Sequence, residues 1–139
     1  MILIKKISAV ETFPLRHAVL WPNQPISYIQ LAEDGNGIHF GLFKNKKLIS
    51  VISLFIDGES AQFRKFATHT EEQGKGYGTE LLQHTIDFAT RENIKLLWCN
   101  ARLDKTKYYK KFGFQETSKT YTKNGVHFII LEKVLHTSS

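Results

Sequence analysis

The sequence predicts an α/β fold of the α+β kind: a mostly antiparallel sheet that holds one parallel strand pair and is flanked by helices. Three observations predict it. Apolar, β-branched and aromatic runs at Ile38–Lys44 and Leu48–Ile56 are joined by Asn45-Lys46-Lys47. A turn at Asp57-Gly58 then leads to Ala61–Thr68, so three strands follow one another antiparallel. Apolar residues at helical spacing between Gly78 and Glu92 separate the strand-like runs Phe63–Thr68 and Ile94–Cys99, and strands joined across a helix lie parallel. Asn124-Gly125, the strongest local turn signal, closes a last hairpin. At 139 residues the chain has the size of one domain with a real core, expected over 1–135, with 136–139 as a C-terminal tail.

The elements follow in order. Ile2 to Ser8 alternates loosely and opens as a strand; Ala9 to Leu20 reads as a short helical stretch interrupted by Pro14. Trp21-Pro22-Asn23-Gln24-Pro25 is a loop, because proline fixes its own φ and restricts the residue before it. After the three strands, Leu81, Leu82, the Thr85 methyl, Ile86 and Ala89 mark one buried face of the helix from Gly78 to Glu92. Ile94–Cys99 is a continuous apolar run short enough to be a strand buried on both faces, parallel to Phe63–Thr68. Asp104 is a candidate N-cap for a short helix to Lys111, which Gly113 ends. Phe114–Tyr121 and Val126–Val134 form the final hairpin.

A net charge of +6 suits a polyanionic partner. The basic residues are scattered, however, with only the doublets Lys5-Lys6, Lys46-Lys47 and Lys110-Lys111 and no basic run interleaved with aromatics, which argues against a nucleic-acid face. Cys99, the single cysteine, excludes an intramolecular disulfide and fits a reducing cytoplasm. No apolar run reaches the length of a membrane span, and the first residues carry their charges after a very short apolar run, the reverse of a secretory signal. The six histidines show no i, i+4 zinc pair, so no metal is expected.

Gln73-Gly74-Lys75-Gly76-Tyr77-Gly78 stands where a strand gives way to a helix. Glycines this dense at a helix start leave backbone N–H groups uncovered at the positive end of the helix dipole, a seat for phosphate oxygens. Lys75 is followed by Gly76 rather than Ser or Thr, so this is no Walker loop. A dinucleotide fingerprint would want glycine at Thr79 and an acid roughly 20 positions on, and Lys95–Asn100 offers none.

What remains is Gln-x-x-Gly-x-Gly from Gln73 to Gly78, followed after a helix and a strand by Tyr109-Lys110-Lys111-Phe112-Gly113-Phe114. That pairing resembles the GCN5-related N-acetyltransferase (GNAT) family, whose acetyl-CoA signature is Arg or Gln, two residues, Gly, one residue, then Gly or Ala. Tyr-x-x-x-Gly-Phe is similar to its later motif. The resemblance covers Leu48 to Phe114 well and the flanks by general layout. It implies a twisted sheet whose central parallel strands splay to admit the cofactor, acetyl-CoA as donor substrate, and a small-molecule or peptide amine as acceptor. A homodimer stays open.

By the same resemblance the diphosphate falls to the backbone of Gln73, Gly74, Lys75, Gly76, Tyr77, Gly78 and Thr79. The pantetheine arm falls to the strand edge at Phe66, Ala67 and Thr68, where one N–H near Phe66 or Ala67 would polarise the thioester carbonyl. Asn100 could hydrogen-bond that arm from the other side, and Lys105, where the family usually has alanine, either contacts the 3′-phosphate or crowds the groove. Tyr109 matches the tyrosine thought to protonate the departing thiolate. A phenol of pKa about 10 can donate to a thiolate whose conjugate acid lies near 8.5 at modest uphill cost. Tyr108 stays open as the donor.

The general base is open between Glu59, His69 and a water chain. The acceptor surface is expected from Val10–Ser27 and Tyr121–His127. Arg16, His17, Trp21, His39 and Tyr121 are its candidate residues, and Glu33 and Asp34 would suit a cationic amine. Direct attack in a ternary complex is the expected chemistry. A non-catalytic CoA-binding module and a basic nucleic-acid-binding domain are the alternatives.

Overall fold

A computed structural model describes residues 1–136. The elements are β1 (Ile2–Ile7), α1 (Ala9–Leu15), β2 (Ile38–Lys44), β3 (Lys47–Asp57), β4 (Ser60–Thr68), α2 (Tyr77–Arg91), β5 (Leu96–Arg102), α3 (Thr106–Lys110), β6 (Gln115–Lys123) and β7 (Val126–Val134). The strands hydrogen-bond in the order β1-β2-β3-β4-β5-β7-β6. Among the described residues β4 and β5 are the one parallel pair; the β1–β2, β2–β3, β5–β7 and β6–β7 ladders are antiparallel. The fold class and the order of strands and helices are those the sequence predicts. The chain falls into two compact units, Met1–Phe55 with Phe63–Asp87, and Ile56–Gln62 with the chain from Phe88 onward.

In the first unit Ser8 caps α1 in a reciprocal box: its Oγ accepts the Glu11 N–H at 3.3 Å, and Glu11 Oε1 accepts the Ser8 N–H at 2.9 Å. Pro14 lies inside α1, and the chain stays helical beyond it, widening into a π turn at Arg16–Leu20. The loop after Trp21 holds two 3₁₀ turns, Ile26–Ile29 and Ala32–Asn36, that the sequence did not signal. Asn45 and Lys46 both take positive φ, 50° and 71°, the two-residue turn whose twist matches a hairpin. Leu15, Val51 and Ala67 form a core against which Ile7, Val19, Leu20 and Leu48 pack.

Arg16 is wholly buried and organises this unit. Its guanidinium forks onto Asp34, with both N–H···O distances 2.9 Å, and donates to Ile29 O at 3.1 Å and Ser53 Oγ at 2.9 Å. Asp34 also accepts the Leu31 N–H at 2.9 Å, fastening the second 3₁₀ turn. His39 Nε2 lies 3.0 Å from the Asp34 carbonyl and must donate to it. Ser53 Oγ, which accepts from Arg16, also lies 2.7 Å from His39 Nδ1. Arg16, Asp34 and His39 are thus spent on internal bonds and do not form the acceptor surface expected of them. Glu33 remains exposed, 3.4 Å from Arg64.

In the second unit the parallel ladder has three pairs, Ser60↔Leu96, Ala61↔Leu97 and Gln62↔Trp98. The Glu59 carbonyl opens it by accepting the Lys95 and Leu96 N–H groups at 2.7 and 3.3 Å. Two expectations are corrected here. The strand begins at Leu96 and runs to Arg102, and the ladder uses the start of β4 rather than Phe63–Thr68. It is also not covered on both faces: Leu97, Cys99 and Ala101 are buried while Asn100 is exposed. β7 pairs with β5 from Leu96↔Val134 to Arg102↔Phe128, and Asn124 and Gly125 (φ 52° and 78°) close the β6–β7 hairpin.

A 3₁₀ turn at Leu103–Lys105 delays α3, so Asp104 lies inside that turn. Lys105 holds the cap position, without a side-chain cap bond. His136 aside, the expected tail lies outside the described residues. No helix among those residues is long and apolar enough to cross a membrane.

Burial pushes the Asp34 carboxyl up. The Arg16 fork, the Leu31 N–H and the nearby charges outweigh it, so the group sits below the ordinary aspartate range. A depressed folded pKa stabilises the fold above the unfolded value of about 3.9, and that stability is lost as pH falls through the folded value. Asp34→Asn, which leaves the Arg16 cation buried without its counter-charge, should lower the unfolding free energy by about 3 kcal/mol in urea titrations at pH 7. The deficit should shrink as pH falls below about 4; a deficit unchanged down to pH 2 contradicts this account.

Candidate active site

Thr68 ends β4, a 3₁₀ turn spans Thr70–Glu72, and α2 begins at Tyr77. Between them Gly74 and Gly76 take φ of 77° and 87°, a region that costs other residues roughly 1–2 kcal/mol. A Cβ built on either would meet nothing within 4 Å, and Gln73, Gly74, Lys75 and Gly76 are all exposed. The turn is therefore sealed neither by its own side chains nor by its neighbours. Glu80 N–H to Gly76 O, at 3.0 Å, is the first hydrogen bond of α2, so the amides at Tyr77 and Gly78 belong to the open end of the helix. Thr79 is exposed in the same helical turn.

Gly78 serves packing instead. A Cβ there would stand 3.1 Å from Thr68 Oγ1 and 3.3 Å from the Phe66 ring, so glycine lets α2 start hard against the end of β4. Phe66, Thr68, Gln73 and Gly78 are thus brought together. Gln73 Nε2 donates to Thr68 O at 2.9 Å and braces the turn from inside, which gives the signature glutamine a structural task. Ser50 on β3 holds the strand end, donating to Ala67 O at 3.3 Å and lying 2.8 Å from Thr68 Oγ1.

One strained residue escaped the sequence reading. Lys65, inside β4, has φ of 54°, which interrupts the strand's regular alternation immediately before Phe66 and Ala67. Lysine gives no hint of a left-handed position. His69 caps the 3₁₀ turn: its Nδ1 accepts the Glu71 N–H at 3.3 Å. Lys75 lies 3.6 Å from Glu72, and Lys44, which the sequence reading passed over, lies 3.1 Å from the same carboxylate.

In the second unit the Tyr-x-x-x-Gly-Phe motif is a helix stop. Gly113 at φ 93° bonds back from its N–H to Lys110 O at 3.0 Å, and Phe114 N–H reaches Tyr109 O at 3.4 Å. These are the two bonds of a Schellman ending, and the Phe114 ring folds onto the Tyr109 ring at 6.1 Å, the apolar contact that accompanies it. Burial, then Cys99 and Tyr108, push the Tyr109 phenol far above its ordinary value; burial pushes the Cys99 thiol up to about 12. Asn100 is exposed opposite Ile130, two residues short of the end of β5, and Lys105 is exposed ahead of α3.

A family model described as an acetyltransferase (GNAT) domain matches residues 10–135. The chain belongs to the GNAT acetyltransferase family. It is 29% identical to the uncharacterized N-acetyltransferase YitI of Bacillus subtilis, with 99% of each chain covered. Its fold is similar to the ribosomal-protein-S18-alanine N-acetyltransferase of Escherichia coli (TM-score 0.82, 18% identity, covering 100% of this chain and 97% of that one). It is also similar to a GNAT family acetyltransferase from Elizabethkingia anophelis with acetyl-CoA bound (TM-score 0.76, 21% identity, 96% and 98% covered). As a GNAT member the chain is an N-acetyltransferase.

Burial pushes the Cys99 thiol of this acetyltransferase up to about 12, so it stays protonated and unreactive at pH 8. An aromatic disulfide reagent should leave the native protein unlabelled over hours and label it fully in guanidinium chloride. Rapid native labelling would contradict the burial.

Proposed function

We propose that the protein transfers an acetyl group from acetyl-CoA to a primary amine by direct attack within a ternary complex. The observation that carries the reading is the open glycine turn: two left-handed glycines with empty space at their Cβ positions, immediately ahead of the start of a fifteen-residue helix. Such a backbone suits the pyrophosphate, since the donors are N–H groups and the helix dipole adds positive potential. The residues Gln73 to Thr79 hold it in this reading. Phe66, Ala67 and Thr68 offer main-chain groups to the pantetheine amides, and the parallel β4–β5 ladder ends at Gln62, ahead of them. Asn100 and Lys105, both exposed, are assigned to pantetheine and 3′-phosphate.

The acceptor must arrive as a free amine, whose lone pair forms the N–C bond as the C–S bond breaks. The amine gives up a proton to a general base or a water chain, and the departing thiolate takes one from Tyr109, whose phenolate regains its proton from solvent before the next turnover. Its raised pKa keeps the phenol protonated at any working pH, yet makes it a weaker acid than free tyrosine.

Acetyl-CoA at about 100 times its dissociation constant should add roughly 2.7 kcal/mol of stability and raise the melting temperature visibly. No shift at millimolar ligand contradicts the proposal. Tyr109→Phe should keep that shift while lowering thiol release with a competent amine by about 10²-fold, the low end for general acid catalysis. An unchanged rate would remove Tyr109 from the chemistry.

A further inference from the structure

Glycines 74 and 76 give the turn its geometry but cannot keep it. Glycine has the most backbone freedom to lose, and ordering a residue costs about 1–2 kcal/mol. A turn that ordered only on meeting its ligand would forfeit that free energy from binding. Bracing must come from outside the glycines, and Gln73 holds only one side. On the other, the Lys44 ammonium sits 3.1 and 3.4 Å from the two Glu72 oxygens, just ahead of the bend. It also lies 5.3 Å from the centre of the Tyr77 ring, just behind it. One cation therefore touches both flanks.

Lys44 is well planted for this. It ends β2, pairs with Lys47 across the Asn45-Lys46 turn and with Ile2 of β1, and the adjacent Asn45 N–H bonds Met1 O at 3.0 Å. Glu72 is largely covered, and the Lys44 hydrogen bond, against some burial, lowers its pKa. The contacts with Glu72, then Tyr77, raise that of Lys44, so both stay charged together across the neutral range.

We propose that Lys44 is a positioning residue for donor binding, acting through Glu72 and Tyr77 to hold the Gln73–Gly76 bend in its open form before the ligand arrives. The inference rests on the proposed seat of the pyrophosphate. Glu72 separates it from plain electrostatics. A carboxylate beside a polyanion site repels the ligand, so on charge alone Glu72→Ala should tighten CoA binding. If the carboxylate is half of a brace, its removal weakens binding.

The test is calorimetric titration of CoA into the unmodified protein, Lys44→Met, Lys44→Arg, Glu72→Ala and the double variant Lys44→Met/Glu72→Ala, with amide hydrogen exchange of each free protein. We expect Lys44→Met and Glu72→Ala each to weaken CoA binding by roughly three- to tenfold, with the double variant no worse than either single one, the mark of one shared interaction. Lys44→Arg should restore most of the affinity. Exchange over residues 73–78 should quicken in both single variants without ligand, while protection of β3 and of the middle of α2 stays put. Tighter or unchanged binding in Glu72→Ala, in a background where the unmodified protein binds CoA, overturns the brace and leaves the donor reading standing. Failure of the unmodified protein to bind CoA overturns both. Unchanged exchange over the turn in both variants overturns the brace alone.

Discussion

Within nine steps the main chain from Thr68 to Tyr77 has to stop being a strand and become a helix while staying open to solvent at the bend. Most of the site follows from that constraint. L-residues resist the left-handed region, so the bend falls on Gly74 and Gly76. Glycine supplies no contacts of its own, so the bend is held from its flanks. Gln73 ties it to Thr68, Ser50 steadies the strand end beneath, and Gly78 admits the helix close beside Phe66. The openness that suits a pyrophosphate and the bracing that keeps the turn open are carried by different residues.

The second half of the signature shows the same division of labour. Tyr109, Gly113 and Phe114 are spaced as they are because a short helix must end, with glycine taking the left-handed position and phenylalanine folding back on tyrosine. Burial, then Cys99 and Tyr108, raise the proton affinity of the same tyrosine, so one residue carries both the structural role and the proposed chemical role. Elsewhere Arg16 and Asp34 show polar residues drawn fully into a core. A buried ion pair adds little net stability but penalises any arrangement that separates its members, and here it fixes where the segment from Ile29 to Asp34 lies.

What could be read from the sequence was whatever local physics decides. Asn45, Asn124 and Gly125 tolerate the positive φ their turns require, α2 announces itself by periodicity, and the two motifs mark their turns by glycine spacing. What could not be read depends on partners distant in the chain. Nothing near Arg16 says that its counter-charge lies eighteen residues on, nor near Lys44 that Glu72 lies twenty-eight away. Asp104 looked like a cap because it precedes a helical run, but an extra 3₁₀ turn moved the helix start past it. Lys65 carries strain that its side chain does not advertise, and β5 outran its apolar stretch because β7 pairs it through the exposed Asn100.

The central claim is that the main chain of the glycine turn, rather than its side chains, meets the donor. Amide chemical shifts followed by ¹H–¹⁵N NMR during a titration with CoA test it most directly. The account predicts that the largest and saturable changes fall on the amides of Gly74, Gly76, Tyr77 and Gly78. Saturable binding of CoA with those amides unmoved would contradict it.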